Sequence, residues 1–513
     1  MEYSFASKVE KWGVFEFGVE GKTDRNPFVD FDITAHFESA YESKTVSGFY
    51  DGNGVYKVRF MPSFEGKYTF SIDGSFSDRQ YSGSFEAVPP SAQNHGPVRV
   101  CNTYYFEYAD GNPCYPLGTT CYVWELQSDE LVAQTLESLK NSPFSKIRFC
   151  IFPKHYAFNL GEPRSYPYEG TPMDSSILTM QNFYGYNENS EGNDWDFTRF
   201  NPEHFRHIEY CISELTKLGI EADIILFHPY DRWGFSKMTA QENELYLKYV
   251  IARFSAYRNV WWSLANEYDF MSHKSIDDWE DYARIIDEND PYGRMCSIHN
   301  GVNIYDFSKS WVTHCSIQRQ DIYRTAENTS NWREKYGKPV VLDEIAYEGD
   351  IPYAGGNITA EELVRRFWEA AVRGGYGGHG ETYLSDDGIL WWSHGGKLKG
   401  ESPERIAFLR RIMQEIPGNG LKQKVMAWDE LCAVPAYDEE EKRTGYHLFY
   451  YSFMRPHYRE YHIDDDNEYS VEVIDTWNMT VENIGVFKGW FRIELPARQY
   501  MAVRMRRVDA GNC

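Results

Sequence analysis

Between Pro116 and Ile416 apolar strand-like runs alternate with helical segments, and that rhythm leaves few folds open. A strand, a helix and another strand return the chain to the same end of a sheet. The sheet is then parallel, with helices covering it. The strand-like runs are YPLGTTCYVW, KIRFCIF, IEADIILFHPY, VWWSLANE, RMCSIHN, SWVTHCSIQ, KPVVLDEIA and YGGHGETYL. Between them lie segments of helical period such as SDELVAQTLESLKNS, PEHFRHIEYCISELTKLG and TAEELVRRFWEAAVRGG, and SPERIAFLRRIMQEI closes the series. Eight such units in this length predict a (β/α)8 TIM barrel, whose usual size is about 250 residues before insertions.

The flanks have a different period. VFEFGVEG, FDITAHFES and GKYTFSIDG alternate with Gly and Asp turns ahead of the barrel, and GYHLFYYSF, YSVEVIDTWNMTV and YMAVRMRRV follow it. Both read as β-sandwiches. The chain therefore divides into an N-terminal β-sandwich (1–90), a (β/α)8 barrel (91–420) and a C-terminal β-sandwich (421–513), an α/β fold overall. NTYYFEYADGNPCY reads as a hairpin leading into the barrel. The acidic runs DEEEKR and IDDDNEY read as hairpin turns facing water. The stretch from His155 to Phe200, rich in Tyr, Asn, Glu and Pro, is a long loop after strand two, on the face where barrels bind substrate.

The formal charge of −25 argues against nucleic acid or an anionic membrane as partner. No apolar run is long enough to span a bilayer. The N-terminus lacks a basic start followed by an apolar stretch, and the nine cysteines show no CxxC pairs. Reduced core thiols in a cytoplasmic protein are expected. Aromatic residues make up 17% of the chain; flat rings with polar edges suit sugar faces, and equally suit large cores.

In a TIM barrel the polar residues at the C-terminal strand ends face the active site. Strand four ends in Asn266-Glu267 and strand seven in Asp343-Glu344. Arg148 lies in strand two, with His155 just beyond. His228 ends strand three and His299 strand five; Gln318 belongs to strand six, and His379 and Glu381 to strand eight. Two glutamates across a barrel mouth suit glycoside hydrolysis: one protonates the leaving oxygen, the other attacks the anomeric carbon or activates water. Asp343 reads as structural and Asp269 as a loop stabiliser. No HxH or HExxH spacing occurs, so no metal or other cofactor is expected. The glycines of GGYGGHG read as close strand packing, since no P-loop Lys-Ser/Thr follows.

These motifs resemble clan A of the retaining glycoside hydrolases, which carry Asn-Glu at the end of strand four and Glu at the end of strand seven. The resemblance implies Glu267 as general acid/base, Asn266 as a ligand of the sugar 2-hydroxyl and Glu344 as nucleophile. It implies Arg148 as the partner of the nucleophile and Trp392 (or its neighbour Trp391) as the sugar platform. DPYGRMCSIHN, DEIAYEG, HGETY and LWWSHGGKLKGESPERIAFLR are similar to an apiosidase-like or cellulase-like group with a β-sandwich ahead of the barrel and a small β-domain behind it. The expected substrate-binding set is Arg148, His155, His228, Asn266, His299, Gln318, His379, Glu381 and Trp392. The expected function is exo-type hydrolysis of short glycosides by double displacement. Transglycosylation with the same residues and a non-catalytic carbohydrate-binding barrel are the alternatives. The β-domains are expected to wall the pocket or mediate self-association.

Overall fold

The computed structural model describes residues 3–508 except 160, 180, 187, 188, 464 and 465. Eight parallel strands form its central sheet: Gly118–Thr120, Lys146–Cys150, Glu221–Phe227, Val260–Ala265, Cys296–Ser297, Cys315–Gln318, Val340–Glu344 and Tyr376–His379. Numbered one to eight, they run in the order 5-4-3-2-1-8-7-6. A bridge between His299 and Ser316 joins strands five and six and completes the barrel. Strands two, three, four and seven are buried at every residue, which is why apolar residues fill most of their positions. Gly377 and Gly378 let strand eight fit its place. A Cβ on Gly377 would lie 2.8 Å from the Phe367 ring, and one on Gly378 would lie 2.4 Å from the Asp343 carbonyl oxygen.

The barrel interior is charged. The Lys146 ammonium donates to Asp223 (2.6 Å) and Asp343 (2.7 Å), joining strands two, three and seven. All three side chains are almost wholly buried. Glu221 below them accepts from the Trp261 indole (2.9 Å), and burial pushes its carboxyl up to about 7. The base is closed by the segment expected as a hairpin, here the three-stranded sheet of Val98–Cys101, Tyr105–Tyr108 and Pro113–Cys114. Its Phe106 packs on Trp261 and Tyr376, with ring centroids 5.3 and 5.1 Å apart.

Ahead of the barrel, a four-stranded and a five-stranded sheet enclose a core rich in phenylalanine, with Phe37 stacked on Phe60 at 4.1 Å. Arg59 of this domain reaches the barrel helix Pro202–Leu218, where it holds Glu209 with two hydrogen bonds (2.6 and 3.0 Å). Behind the barrel, a six-stranded and a two-stranded sheet enclose a second β core. DEEEKR is not a hairpin turn: it starts a short helix, Asp438–Thr444, closed by Gly445 in the left-handed region. Its acids pair forward to Arg443 and across to Lys422 and Lys424, which offsets their mutual repulsion. Of IDDDNEY, Asp464 and Asp465 lie outside the described residues. Eight cysteines are unpaired among the described residues, seven of them buried. No described helix is long and apolar enough to cross a membrane.

Removing the ammonium between two buried carboxylates should cost far more than the pair contributes, because both acids would be left uncompensated. Lys146→Met is expected to lower unfolding stability by about 3–5 kcal/mol, read by chemical denaturation. Adding Asp223→Asn and Asp343→Asn should recover part of the loss.

Candidate active site

Strand seven places Glu344 at the barrel mouth, in register with Gln318 of strand six. Strand four ends at Ala265, and the chain then turns sharply. Glu267 has φ +50° and ψ +54°, a left-handed conformation that non-glycine residues seldom adopt. The turn is held on both sides: Tyr268 N–H donates to the His299 carbonyl (3.0 Å), and the Asp269 carboxylate accepts from the N–H groups of Gly301, Val302 and Asn303 (2.6–2.8 Å). Such strain persists where the surroundings over-determine it, and it is concentrated at functional sites.

The two glutamates line one cavity of about 330 Å³. Glu344 accepts from the Tyr122 hydroxyl; Arg148 Nη1 and His299 Nε2 each lie 3.5 Å from its Oε1, and Gln320 donates to Oε2 at 3.4 Å. Glu267 accepts from the Tyr230 hydroxyl, from Gln318 Nε2 at 3.1 Å and from Asn266 Nδ2 at 3.2 Å. Asn266 links the halves, because its Oδ1 accepts from Arg148 (2.9 Å). Below Glu344, His299 Nδ1 lies 3.1 Å from Ser316 Oγ, which donates to Asp343. The site is thus tied to the charged barrel interior.

Burial raises the proton affinity of both carboxyls, and their surroundings then separate them. At Glu344 the hydrogen bond and charge of His299, the Arg148 guanidinium and the Tyr122 hydroxyl outweigh burial and hold the carboxyl below its ordinary value. At Glu267 burial, followed by the negative charge of Glu344, wins over Lys154 and Tyr230, and the carboxyl lies above its ordinary value. One group favours the ionised form and the other the protonated form.

Arg148, Asn266, His299 and Gln318 therefore converge on the two glutamates, and Trp392 lines the cavity. Trp391 instead turns inward, its indole donating to Thr119 (2.8 Å). Four expected ligands do not reach the cavity. His379 lies on the same face of strand eight as Gly377, the face toward the helix carrying Phe367. Its ring stacks on Phe144 at 4.3 Å, and Nδ1 lies 2.9 Å from Thr119 Oγ1. Glu381 lies just past the strand, accepting from Lys399 N–H (2.7 Å) with its other oxygen 3.6 Å from His379. His155 packs tilted on Phe183 at 4.0 Å and lies 3.0 Å from its carbonyl oxygen; His228 lies 3.2 Å from the Phe152 carbonyl oxygen. Burial lowers these two imidazoles to about 4 and about 3, so both are neutral struts for loops.

The cavity also contains residues that lie outside the strand ends: Tyr122, Lys154, Tyr230, Gln320 and Tyr347. They lie a few residues beyond strands one, two, three, six and seven, where the sequence reads as apolar run or loop. Tyr156, Ala157, Phe158 and Tyr184 come from the long loop after strand two, as its position on this face predicts.

A family model described as "Apiosidase-like, catalytic domain" matches residues 101–437. Two models of domains of unknown function, DUF5060 and DUF5605, match residues 8–75 and 428–506. Among solved structures, a candidate glycoside hydrolase from Bacteroides vulgatus ATCC 8482 is 34% identical. The match covers 98% of this chain and 100% of that one, with a TM-score of 0.89. A glycoside hydrolase family 5 protein from the same organism shares the fold at 16% identity and a TM-score of 0.59, over 82% of this chain and 94% of that one. No protein of curated function matches the chain. With the catalytic-domain model spanning the barrel and a relative alike along the whole chain, the protein belongs to the apiosidase-like family of glycoside hydrolases.

Proposed function

We propose that the protein is a retaining glycosidase with Glu344 as nucleophile and Glu267 as general acid/base. The observation that carries this reading is the pair of carboxyls in one cavity with opposite proton preferences. Glu344 attacks the anomeric carbon while Glu267 gives its proton to the departing oxygen, leaving a glycosyl ester on Glu344 and an ionised Glu267. Glu267 then takes a proton from water, whose oxygen attacks the same carbon and releases Glu344. Asn266, oriented by Arg148, is placed beside Glu267 to bind a sugar hydroxyl. Trp392, edge-on to Tyr122 and Tyr156 at 5.7 and 5.4 Å, provides a fixed aromatic wall.

A cavity of about 330 Å³ is at the small end of ligand pockets, which run from about 300 to 1,000 Å³. Its size supports exo-type action on short glycosides. The unpaired described cysteines are consistent with a reducing, cytoplasmic setting. A division at 1–90, 91–420 and 421–513 assigns the chemistry to the barrel and support to the β-domains.

Glu344→Gln is expected to abolish turnover of aryl glycosides. Glu267→Ala should lower kcat/KM by about 10²–10⁴-fold on substrates with poor leaving groups. Azide should restore turnover of activated ones and yield a glycosyl azide. NMR of the first-formed product should show the substrate's anomeric configuration; the opposite anomer would refute double displacement.

The pH profile follows from the two shifts. Activity is lost at low pH as Glu344 gains its proton and at high pH as Glu267 loses its own, giving a bell. A hydroxyl donating to a carboxylate favours ionisation, so its removal raises that carboxyl's proton affinity. Tyr122→Phe should move the acid limb of kcat/KM upward, and Tyr230→Phe should move the alkaline limb upward.

A further inference from the structure

Lys154 follows strand two and lines the same cavity, yet no step above uses it as a reacting group. Its Nζ lies 3.2 Å from the ring centroid of Tyr122, 4.2 Å from Tyr230, 4.6 Å from Tyr156 and 5.6 Å from Trp392. The residue is only 2% exposed. Among the described residues Nζ makes no hydrogen bond and no ion pair; the groups that act on it electrostatically, Cys150, Glu267, Glu344 and Arg148, do so from beyond contact. Aromatic faces attract a cation but accept none of its three N–H bonds in the way an oxygen does. The donors are therefore left for whatever enters the cavity.

The choice of residue narrows what that is. A neutral amide could bind a sugar hydroxyl without the cost of burying a charge. Here that cost is visible, since burial pushes the amine down to about 8. A buried cation with free donors is matched when the ligand brings the opposite charge. Its position narrows the place: Tyr122 and Tyr230, two of the rings around Nζ, are each one hydrogen bond from Glu344 and Glu267.

We propose that Lys154 is a specificity residue for an anionic substituent, a uronate carboxylate or a sulfate ester, on the sugar bound beside Glu267 and Glu344. The ammonium donates to the anion while the four rings exclude water around it. A neutral sugar's hydroxyl can accept from the ammonium but brings no opposing charge, and binds more weakly.

The inference takes from the glycosidase reading only that a sugar enters this cavity, and binding needs no turnover. Calorimetric titration of the full-length protein with D-galacturonate, D-galactose 6-sulfate and D-galactose tests it directly. At least one anionic sugar is expected to bind tenfold or more tightly than galactose, and comparison of the two distinguishes carboxylate from sulfate. Lys154→Met should reduce that preference to within twofold, and Lys154→Arg should keep most of it. Near-UV circular dichroism and an unchanged thermal unfolding midpoint would show that the Met variant is folded. No preference in the wild type, or a preference that survives Lys154→Met, overturns the proposal. Loss of activity in Glu344→Gln with the anion preference intact supports both readings, whereas an active Glu344→Gln sinks the mechanism and leaves Lys154 standing.

Discussion

The Lys146 ammonium between Asp223 and Asp343 is the contact on which the site depends. It lies where a barrel interior is ordinarily filled with aliphatic side chains. Desolvating three charges is unfavourable, and the arrangement persists only because each acid meets the cation directly. From it a continuous path leads upward. Asp343 accepts from Ser316, Ser316 meets His299, and His299 faces Glu344. Arg148, two residues along strand two from Lys146, meets Asn266 and the same glutamate. The groups at the mouth are thus held in place by contacts that run down to the ion pairs at mid-barrel.

A rigid mount is the second requirement. Two carboxyls can hold different proton affinities only while their distances to neighbours stay fixed, since each depends on a few close contacts. Strand seven supplies such a mount for Glu344. Strand four cannot supply it alone, because Glu267 lies past its end. The left-handed turn at Glu267 and the three backbone donors gathered by Asp269 do the holding instead. Tyr122 and Tyr230 then clamp one carboxyl each, and both rings also face Lys154, so the two carboxyls and the cation share walls.

Much of this was legible in the sequence. Eight apolar runs separated by helical segments are enough to infer the barrel, because only a parallel sheet buries every strand on both faces. Glu267 and Glu344 stand out because a carboxylate directly after a buried strand needs a reason to be there. Reading polar residues near strand ends as site residues failed at His379 and Glu381. On a strand, one position decides between mouth and helix layer, and the pattern of YGGHGETY, with no aliphatic side chain to mark the inner face, does not show which. The tyrosines were hidden differently: Tyr122 within an apolar run reads as core, and only its hydroxyl, aimed at Glu344, distinguishes it.

By itself the sequence determined the local periods, and through them the barrel, its flanking sheets and the two glutamates at the ends of strands four and seven. These follow from alternation and spacing, which are properties of neighbouring residues. Tertiary structure alone decided which carboxyl is held ionised, which histidines turn away, and that Lys154 meets four rings and no carboxylate. Proton affinity and ligand charge depend on groups brought together from separate strands and loops. Their contacts arise only when the barrel closes, and no window along the chain contains them.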